Sequence, residues 1–261
     1  MKFFISLAIR YIPRKYLQLF SHWLVRILYV FYIGKNVTCN ICDHSYRKFL
    51  PYGRKGRSNA LCPNCLALER HRLMWSFLQS QTPFFADKLR ILHIAPELCF
   101  IKRFEALHGE NYITADIESP LAKVKLDVLK MPFDENEYDV VFCNHVMEHV
   151  SNDFKAMAEI MRVLKPGGWG IVQIPLYHPL ADTTFEDSTI ISATAKEKAF
   201  GQRDHVRLYG KDYINRLESV GLVAEEVWLT KELAPEVVKN QGFPLDEPIF
   251  YIRKPATLPP S

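Results

Sequence analysis

The sequence predicts a doubly wound α/β domain with a mostly parallel sheet, preceded by a small cysteine-rich module and an amphipathic N-terminal helix. Three observations support this. From residue 89 onwards, short apolar runs alternate with helical patterns, which is typical of βαβ units. Upstream, two Cys-x2-Cys pairs stand nineteen residues apart, a spacing typical of a zinc site. The first 35 residues carry apolar side chains at helical spacing.

Residues 1–35 are predicted to form a basic amphipathic helix, with Leu17, Phe20, Leu24 and Ile27 in its apolar stripe. The apolar run is too short and interrupted for a membrane span, and no signal-peptide cleavage site follows it. A helix at an anionic membrane surface and a helix packed on its own domain or on a second copy fit equally well. We therefore expect a cytoplasmic protein, with peripheral attachment to the inner face of the membrane as an open alternative.

Residues 36–86 are predicted to form a zinc module and a linking helix over 66–79. Two thiolates from each of two tight turns can complete a tetrahedron around one ion. The alternative is four unrelated buried thiols; disulfides fit less well, because the chain lacks a convincing secretion signal. The predicted zinc ligands are Cys39, Cys42, Cys62 and Cys65.

Charge is distributed unevenly along the chain. Residues 1–86 contain thirteen Lys or Arg and two acids, whereas residues 87–261 contain 20 Lys or Arg and 27 acids. A basic front part suggests a polyanionic partner, either nucleic acid or an anionic membrane surface. Basic and aromatic residues interleave over 46–57, which suits phosphate contact with some stacking. A solvated basic face without a partner is the simpler alternative.

The α/β domain is assigned to residues 87–254, followed by a tail over 255–261. Its predicted strands are 89–94, 111–114, 124–127, 138–143, 169–174, 223–229 and 249–253. Its predicted helices are 97–108, 153–164 and 212–220, the second one stopped by the Lys-Pro-Gly-Gly turn at 165–168. Residues 175–210 are too long for a plain connection, so we expect a lid or substrate wall there.

In an open parallel sheet, ligands bind at the carboxyl ends of the strands. Asp116 and Asp127 follow the second and third predicted strands, which places two carboxylates on one rim. An Asp in such a position can accept hydrogen bonds from a ribose diol, and one on the next strand can accept from an adenine amino group. The alternative for either residue is a helix cap or turn.

The motif order resembles that of the class I S-adenosylmethionine-dependent methyltransferases, closest to the type 11 subgroup. The motifs are ILHIAPE, ITADIES, LDVLKMPF, YDVVFCNHVMEHV and LKPGGWGIVQIP, over about residues 89–175. The resemblance implies a seven-stranded sheet and S-adenosylmethionine as methyl donor. It implies these cofactor contacts: Asp116 and Ile117 at the ribose, Asp127 and Val128 near the adenine, and Asn144 and His145 in the closing loop.

The first motif departs from the family pattern, because residues 93–99 contain no glycine. We expect Ala95 to replace the first glycine, at little cost if its φ is negative. We expect His93 to take over the hydrogen bonds of the usual acid. We expect the carboxylate of Glu97 to pair with the amino group of the cofactor.

Methyl transfer requires mainly in-line placement of the nucleophile, so a general base is optional. The candidate catalytic residues are His205, at the end of the 175–210 segment, and His145 and His149, after the fourth strand. His205 is the preferred base; the alternative is that His205 and Arg207 orient the segment through structural hydrogen bonds.

Three functions remain open at this point. A four-cysteine module before such a domain is similar to the layout of some bacterial ribosomal-RNA guanine methyltransferases, which implies RNA as a partner. A second hypothesis is methylation of a small molecule, lipid or glycan precursor at a membrane. A third is a non-catalytic relative that binds zinc and a nucleoside without transferring a methyl group.

Overall fold

The computed structural model describes residues 29–53 and 56–256. The strands are β1 (Ile33–Cys39), β2 (His44–Tyr46), β3 (Leu50–Tyr52), β4 (Arg57–Leu61), β5 (Ile91–Ile94), β6 (Tyr112–Asp116), β7 (Val124–Lys125), β8 (Tyr138–Cys143), β9 (Leu164–Ile171), β10 (Phe185–Glu186), β11 (Arg207–Leu208), β12 (Val223–Val227) and β13 (Ile249–Arg253). The α-helices are α1 (Glu69–Gln81), α2 (Leu98–His108), α3 (Asp153–Val163), α4 (Ala193–Phe200), α5 (Tyr213–Glu218), α6 (Leu229–Glu232) and α7 (Pro235–Gln241). The predicted N-terminal helix falls mostly on residues 1–28, outside the described residues.

The chain divides into two compact units. The cysteine unit comprises the described chain up to Phe85, together with Glu97–Arg103 and Leu229–Asp246. The sheet unit comprises Ala86–Pro96, Phe104–Trp228 and the described chain from Glu247. A single cut near residue 86 does not describe this division, because the cysteine unit also takes two short segments from within 87–254.

The cysteine unit contains two small antiparallel pairs, β1 with β2 and β3 with β4. Helix α7 packs on β1, and the Asn240 side chain donates a hydrogen bond to the Asn36 carbonyl at 3.3 Å. Pro235 begins α7, and Gly242, with φ 59°, ends it, in agreement with the preferences of these residues at helix ends. The described chain of this unit also includes a 3-10 turn over Tyr29–Tyr32.

The sheet unit is built on a seven-stranded sheet with the order β12-β13-β9-β8-β5-β6-β7. The five strands from β9 to β7 are parallel, and β13 and β12 are antiparallel to their neighbours. This is the predicted doubly wound architecture. Strand order reverses at β5, which lies between β6 and β8, so the crevice for a ligand is expected at the carboxyl ends of these three strands.

The central strands are mostly apolar because both faces of the sheet are covered. All four residues of β5 are buried, and five of the six residues of β8 are buried. Helix α3 contributes Ala156, Met157, Ile160 and Val163 to the same core. The Asn152 side chain caps α3 by accepting a hydrogen bond from the Lys155 amide, at 3.0 Å.

The predicted boundary between α3 and the next strand is wrong. Helix α3 ends at Val163, and β9 begins at once with Leu164 and runs through the Lys-Pro-Gly-Gly segment. Tyr138 pairs with Leu164 and Val140 pairs with Trp169, so the glycines form an irregularity within the strand. Gly167 permits it with φ 79°.

The 175–210 segment has secondary structure of its own. Strands β10 and β11 pair as an antiparallel ladder, and α4 lies between them in the sequence. Ser192 caps α4, and Gly201 ends it in a left-handed conformation. Asp212 accepts hydrogen bonds from the amide and hydroxyl of Thr184, at 2.8 and 2.7 Å, which fixes the beginning of the ladder.

Within the described ranges, no helix is long and apolar enough to cross a membrane.

Candidate active site and metal centre

The four cysteines of the two Cys-x2-Cys pairs lie together in the cysteine unit. Their Sγ atoms are all within 4.8 Å of one another, with Cys39 and Cys65 3.6 Å apart and Cys42 and Cys62 3.7 Å apart. A tetrahedral zinc ion with Zn–S bonds of about 2.3 Å requires Sγ–Sγ separations of about 3.8 Å. All four side chains are buried, and all four thiols are free of disulfides. The cluster has the size and donor type that zinc requires.

The two cysteine turns have the same backbone geometry. Asp43, four residues after Cys39, has φ 55° and donates its amide to the Cys39 carbonyl at 2.8 Å. Leu66, four residues after Cys62, has φ 60° and donates its amide to the Cys62 carbonyl at 3.1 Å. Each turn therefore folds the two cysteines of one pair onto the same side, where their sulfurs can share one ligand.

A buried arginine supports the same module. Arg72 on α1 is fully buried, stacks on the Phe49 ring at 3.9 Å, and donates to the carbonyls of Ala60, Ala67 and Gly242 at 2.9 to 3.0 Å. Burial lowers the pKa of Arg72, and the neighbouring thiols and a glutamate act in the opposite direction. Four thiolates around a divalent ion would carry a net negative charge, which a buried cation such as Arg72 beside them would partly offset.

Hydrogen bonding among the four thiols shifts their pKa values in opposite directions, lowering those of Cys42 and Cys62 and raising those of Cys39 and Cys65. Hydrogen bonding from Cys39 is the largest cause that lowers the pKa of Cys62, to about 7, and that of Cys42 far below its usual range. Thiolates are the form that binds metal.

In the sheet unit, Asp116 stands at the carboxyl end of β6 beside a cavity of about 330 Å³. Its Oδ1 accepts hydrogen bonds from the amides of Glu118 and Ser119, at 2.8 and 2.7 Å. Asp116 is thus both a turn residue and a cavity residue. The cavity lining consists of Asp116, Ile117, Glu118, Ser119, Ala122, Val124 and Lys125. The lining residues after Ile117 were missed from the sequence; the turn-forming Asp-x-x-Ser pattern is the signal that points to them.

Two non-glycine residues adopt left-handed backbone conformations just after neighbouring strands. Ala95 follows β5 with φ 53°, and His145 follows β8 with φ 56°. Ala95 therefore does not have the negative φ that the prediction required. Its backbone adopts the left-handed conformation that only a glycine adopts without strain. Hydrogen bonds from the Ala95 amide to Ala115 O (2.9 Å) and from the His145 amide to Gln173 O (2.8 Å) hold these turns. Strained backbone of this kind concentrates at functional sites.

Two residues of the first motif have other partners. His93 is fully buried within β5, and its Nδ1 lies 2.8 Å from the Tyr112 hydroxyl, so it points into the core. The Glu97 carboxylate lies 3.8 Å from His71 Nε2 within the cysteine unit. The burial of His93 contradicts the expectation that it replaces the usual acid at the rim, whereas the pairing of Glu97 with the cofactor amino group stays a prediction.

The residues predicted near adenine and in the closing loop take different positions. Asp127 is exposed, and its Oδ1 accepts the Leu129 amide at 2.9 Å, which is the turn role that the sequence left open. Val128 is buried in the hydrophobic core. Neither residue is part of the described cavity lining, whereas Ile117 is. Asn144 is buried directly after β8.

The three candidate catalytic histidines lie around one buried carboxylate, that of Glu148. His145 Nδ1 is 3.5 Å and His149 Nε2 is 3.9 Å from Glu148 Oε1, and His149 Nδ1 is 3.4 Å from Asp204 Oδ2. His205 is fully buried, with its ring edge-on to His149 and centroids 4.7 Å apart. The position of Glu148 after the fourth strand is visible in the sequence, but only the fold brings residues 148 and 205 together.

Charges in this cluster are mutually dependent. Burial alone raises the pKa of Glu148, but the hydrogen bond from His145 and the charges of His145 and His149 outweigh it and leave the pKa below its usual value. Burial lowers the pKa of His205. His205 is therefore a neutral imidazole near neutral pH, able to accept a proton or to bind a metal ion.

Arg207 has the structural role that was the alternative for this part of the sequence. Its guanidinium is almost fully buried and donates to the carbonyls of Met147 and Val150, the latter at 2.7 Å. It also lies 3.7 Å from Asp153 and 3.2 Å from Glu186 in ion pairs. These contacts attach the end of the 175–210 segment to the loop after β8.

The strand order of the seven-stranded, mostly parallel sheet matches the class I methyltransferase fold. In agreement with this, residues 99–172 match the family model described as "Methyltransferase domain". The match covers less than half of the chain and lies mainly in the sheet unit.

Two curated proteins are similar to parts of this chain. One is the sterol 4-C-methyltransferase strm-1 of Caenorhabditis elegans, 37% identical over 89 residues, which are 34% of this chain and 25% of that protein. The other is an uncharacterized protein of Methanocaldococcus jannaschii, 31% identical over 110 residues, which are 42% of this chain and 48% of that protein. The chain thus spans about a quarter and about half of these relatives.

Among solved structures, an S-adenosylmethionine dependent methyltransferase from Mesorhizobium loti is similar at a TM-score of 0.44 and 15% identity. The alignment covers 69% of this chain and 95% of that structure. A likeness at this level is too weak to assign an activity.

Proposed function

We propose that this protein is an S-adenosylmethionine-dependent methyltransferase that holds the ribose of the cofactor through Asp116. The supporting observation is the position of Asp116 at the carboxyl end of β6, on the wall of a cavity of about 330 Å³. The two turn hydrogen bonds use Oδ1, which leaves Oδ2 to accept from a ribose hydroxyl. Ile117, on the same wall and more than half exposed, provides apolar surface for the nucleoside.

The remainder of the proposed cofactor site lies at the ends of β5 and β8. Ala95, Asn144 and His145 stand there, in the crevice expected where strand order reverses. S-adenosylmethionine supplies a methyl group on a sulfonium that is already a good leaving group, so this chain has to orient the acceptor and exclude water. His145 and His149 are the partly exposed candidates for removing a proton from the acceptor, whereas buried His205 would act through them.

The test of this proposal is direct binding. Native mass spectrometry of the freshly purified protein, together with calorimetric titration of S-adenosylhomocysteine, is expected to give one cofactor molecule per chain. Absence of both heat and copurified cofactor would refute the proposal. Binding without turnover on any acceptor would instead favour the non-catalytic relative.

We further propose that Cys39, Cys42, Cys62 and Cys65 bind one structural zinc ion. Support comes from the Sγ separations of 3.6 and 3.7 Å and the matching left-handed turns. Elemental analysis of the untagged protein is expected to give at least one zinc per chain. A protein that folds normally without zinc would contradict the proposal.

RNA is a second candidate partner, supported by one local feature of the cysteine unit. Phe31, Tyr32, Arg47 and Lys48 line a cavity of about 330 Å³ there, which combines aromatic and cationic surface. Neither the family match nor the names of the relatives points to RNA or to a membrane. Titration of a labelled single-stranded RNA at rising salt tests the idea: affinity should fall steeply with salt, and salt-independent affinity would count against it.

A further inference from the structure

A cluster of buried polar atoms in the sheet unit lacks hydrogen-bond partners. Within the described residues, Glu148 Oε2, His145 Nε2 and both ring nitrogens of His205 are buried without one. The Phe200 backbone and the charges of Glu148, His149 and Asp204 still act on His205, but none of them gives its ring nitrogens a hydrogen bond of ordinary geometry. Buried polar atoms are normally satisfied, so several unsatisfied ones at one place indicate a missing ligand.

The geometry of the cluster fits a small cation. One donor atom from each of Glu148, His149 and His205 can be chosen so that all lie within 4.8 Å of one another. Ligand atoms that share a metal ion at about 2.1 Å lie roughly 3 to 4 Å apart, so small side-chain shifts suffice. Glu148 and His205 are buried, while the His149 side chain is 34% exposed and provides an open side.

The surrounding contacts orient the donors. The Val206 amide donates to the Glu148 carbonyl at 2.9 Å, which brings the neighbouring His205 against the loop after β8. Asp204 Oδ2 lies 3.4 Å from His149 Nδ1, so the other ring nitrogen, Nε2, faces Glu148. A carboxylate that holds the far nitrogen of a histidine is the usual companion of a metal-binding histidine.

We propose that Glu148, His149 and His205 bind a divalent transition-metal ion, at a site separate from the four cysteines. Two imidazoles and one carboxylate suit Mn²⁺, Fe²⁺, Co²⁺ or Zn²⁺ better than Ca²⁺ or Mg²⁺. Three protein ligands leave coordination positions for water or for an oxygen of a ligand, as at catalytic rather than structural sites. In this arrangement His149 and His205 are ligands and not general bases, which leaves His145 as the candidate for removing a proton from the acceptor.

Mn²⁺ is the most selective probe, because four soft thiolates bind it poorly while nitrogen and oxygen donors accept it. Titration of the untagged full-length protein, followed by the electron paramagnetic resonance signal of free Mn²⁺, is expected to give one site per chain. His149→Gln should weaken Mn²⁺ binding by at least about tenfold, the effect already seen for lost supporting residues at metal sites. Glu148→Gln should also weaken Mn²⁺ binding. Because His149 is partly exposed, the His149→Gln variant still tests the proposal if the buried Glu148 variant fails to fold.

The matched control is His178→Gln, an exposed histidine of the same 175–210 segment. It should bind Mn²⁺ as the unaltered protein does. Equal Mn²⁺ affinity for the unaltered protein and His149→Gln, or no saturable binding at all, would overturn the proposal. Mn²⁺ binding is measured without cofactor, so a protein that binds Mn²⁺ as expected but not S-adenosylhomocysteine would retain this site and refute the methyltransferase proposal alone.

Discussion

The most informative perturbation of the proposed cofactor site is Asp116→Asn. The structure shows why asparagine is preferable to alanine: Asp116 Oδ1 accepts two backbone amides of the following turn, at 2.8 and 2.7 Å. The carbonyl oxygen of asparagine can keep both of these bonds. What the substitution removes is the negative charge and the second acceptor oxygen, which we assign to the ribose.

The expected loss follows from that single change. A hydrogen bond to a charged group contributes about 1.5–3 kcal/mol, and each 1.4 kcal/mol is roughly tenfold in affinity. We therefore expect Asp116→Asn to weaken S-adenosylhomocysteine binding by about 10- to 150-fold, measured by isothermal titration calorimetry. The thermal unfolding midpoint should stay within about 2 °C, because the turn keeps its hydrogen bonds.

Asp127→Asn is the control for this experiment. Asp127 caps a comparable turn through Leu129 but is exposed and is not part of the described cavity lining. Its substitution should change the affinity less than about twofold, since an exposed charge at a distance contributes little. Unchanged affinity in Asp116→Asn, with the fold intact, would refute the ribose assignment and with it the proposed binding mode.

Three further predictions concern stability. Cys62→Ser should abolish zinc retention and unfold the cysteine unit, since zinc at such sites contributes about 10 kcal/mol or more; full zinc content by elemental analysis would contradict this. Asp153→Asn removes one of the negative charges beside the buried Arg207 and should lower the free energy of unfolding in urea by about 3 kcal/mol. A loss below about 1 kcal/mol would show that the Arg207–Asp153 ion pair is dispensable. Ala95→Gly removes the strain of an alanine in the left-handed conformation and should raise the free energy of unfolding by up to about 1 kcal/mol. The control Ala156→Gly, in α3, should lower it by about 1 kcal/mol. Equal losses in both variants would argue against strain at Ala95.

Much of the sheet could be predicted because its strands are recognisable from local pattern. The run Tyr138–Cys143 is apolar except for Asp139 and was predicted with its observed bounds, as was Ile249–Arg253. The bounds of β9 could not be predicted in the same way. A Lys-Pro-Gly-Gly segment ordinarily stops a helix with a turn, and only pairing with β8 draws it into a strand.

The four-cysteine cluster and the position of Asp116 at a strand end could both be predicted from the sequence alone. Ligand spacing within a tight turn and the residue that follows a strand are both local properties, fixed by a few neighbouring dihedral angles. His93, by contrast, lies in a buried strand beside Tyr112, and Glu97 lies beside His71, because packing rather than local pattern selects their partners.

Only the tertiary structure brought Glu148 and His149 into contact with His205. More than fifty residues separate them in the sequence, and their meeting depends on the buried guanidinium of Arg207 and the Val206 amide, which attach the 175–210 segment to the loop after β8. Local sequence determines which groups are available at each strand end. Long-range burial and hydrogen bonding decide which of them share one site.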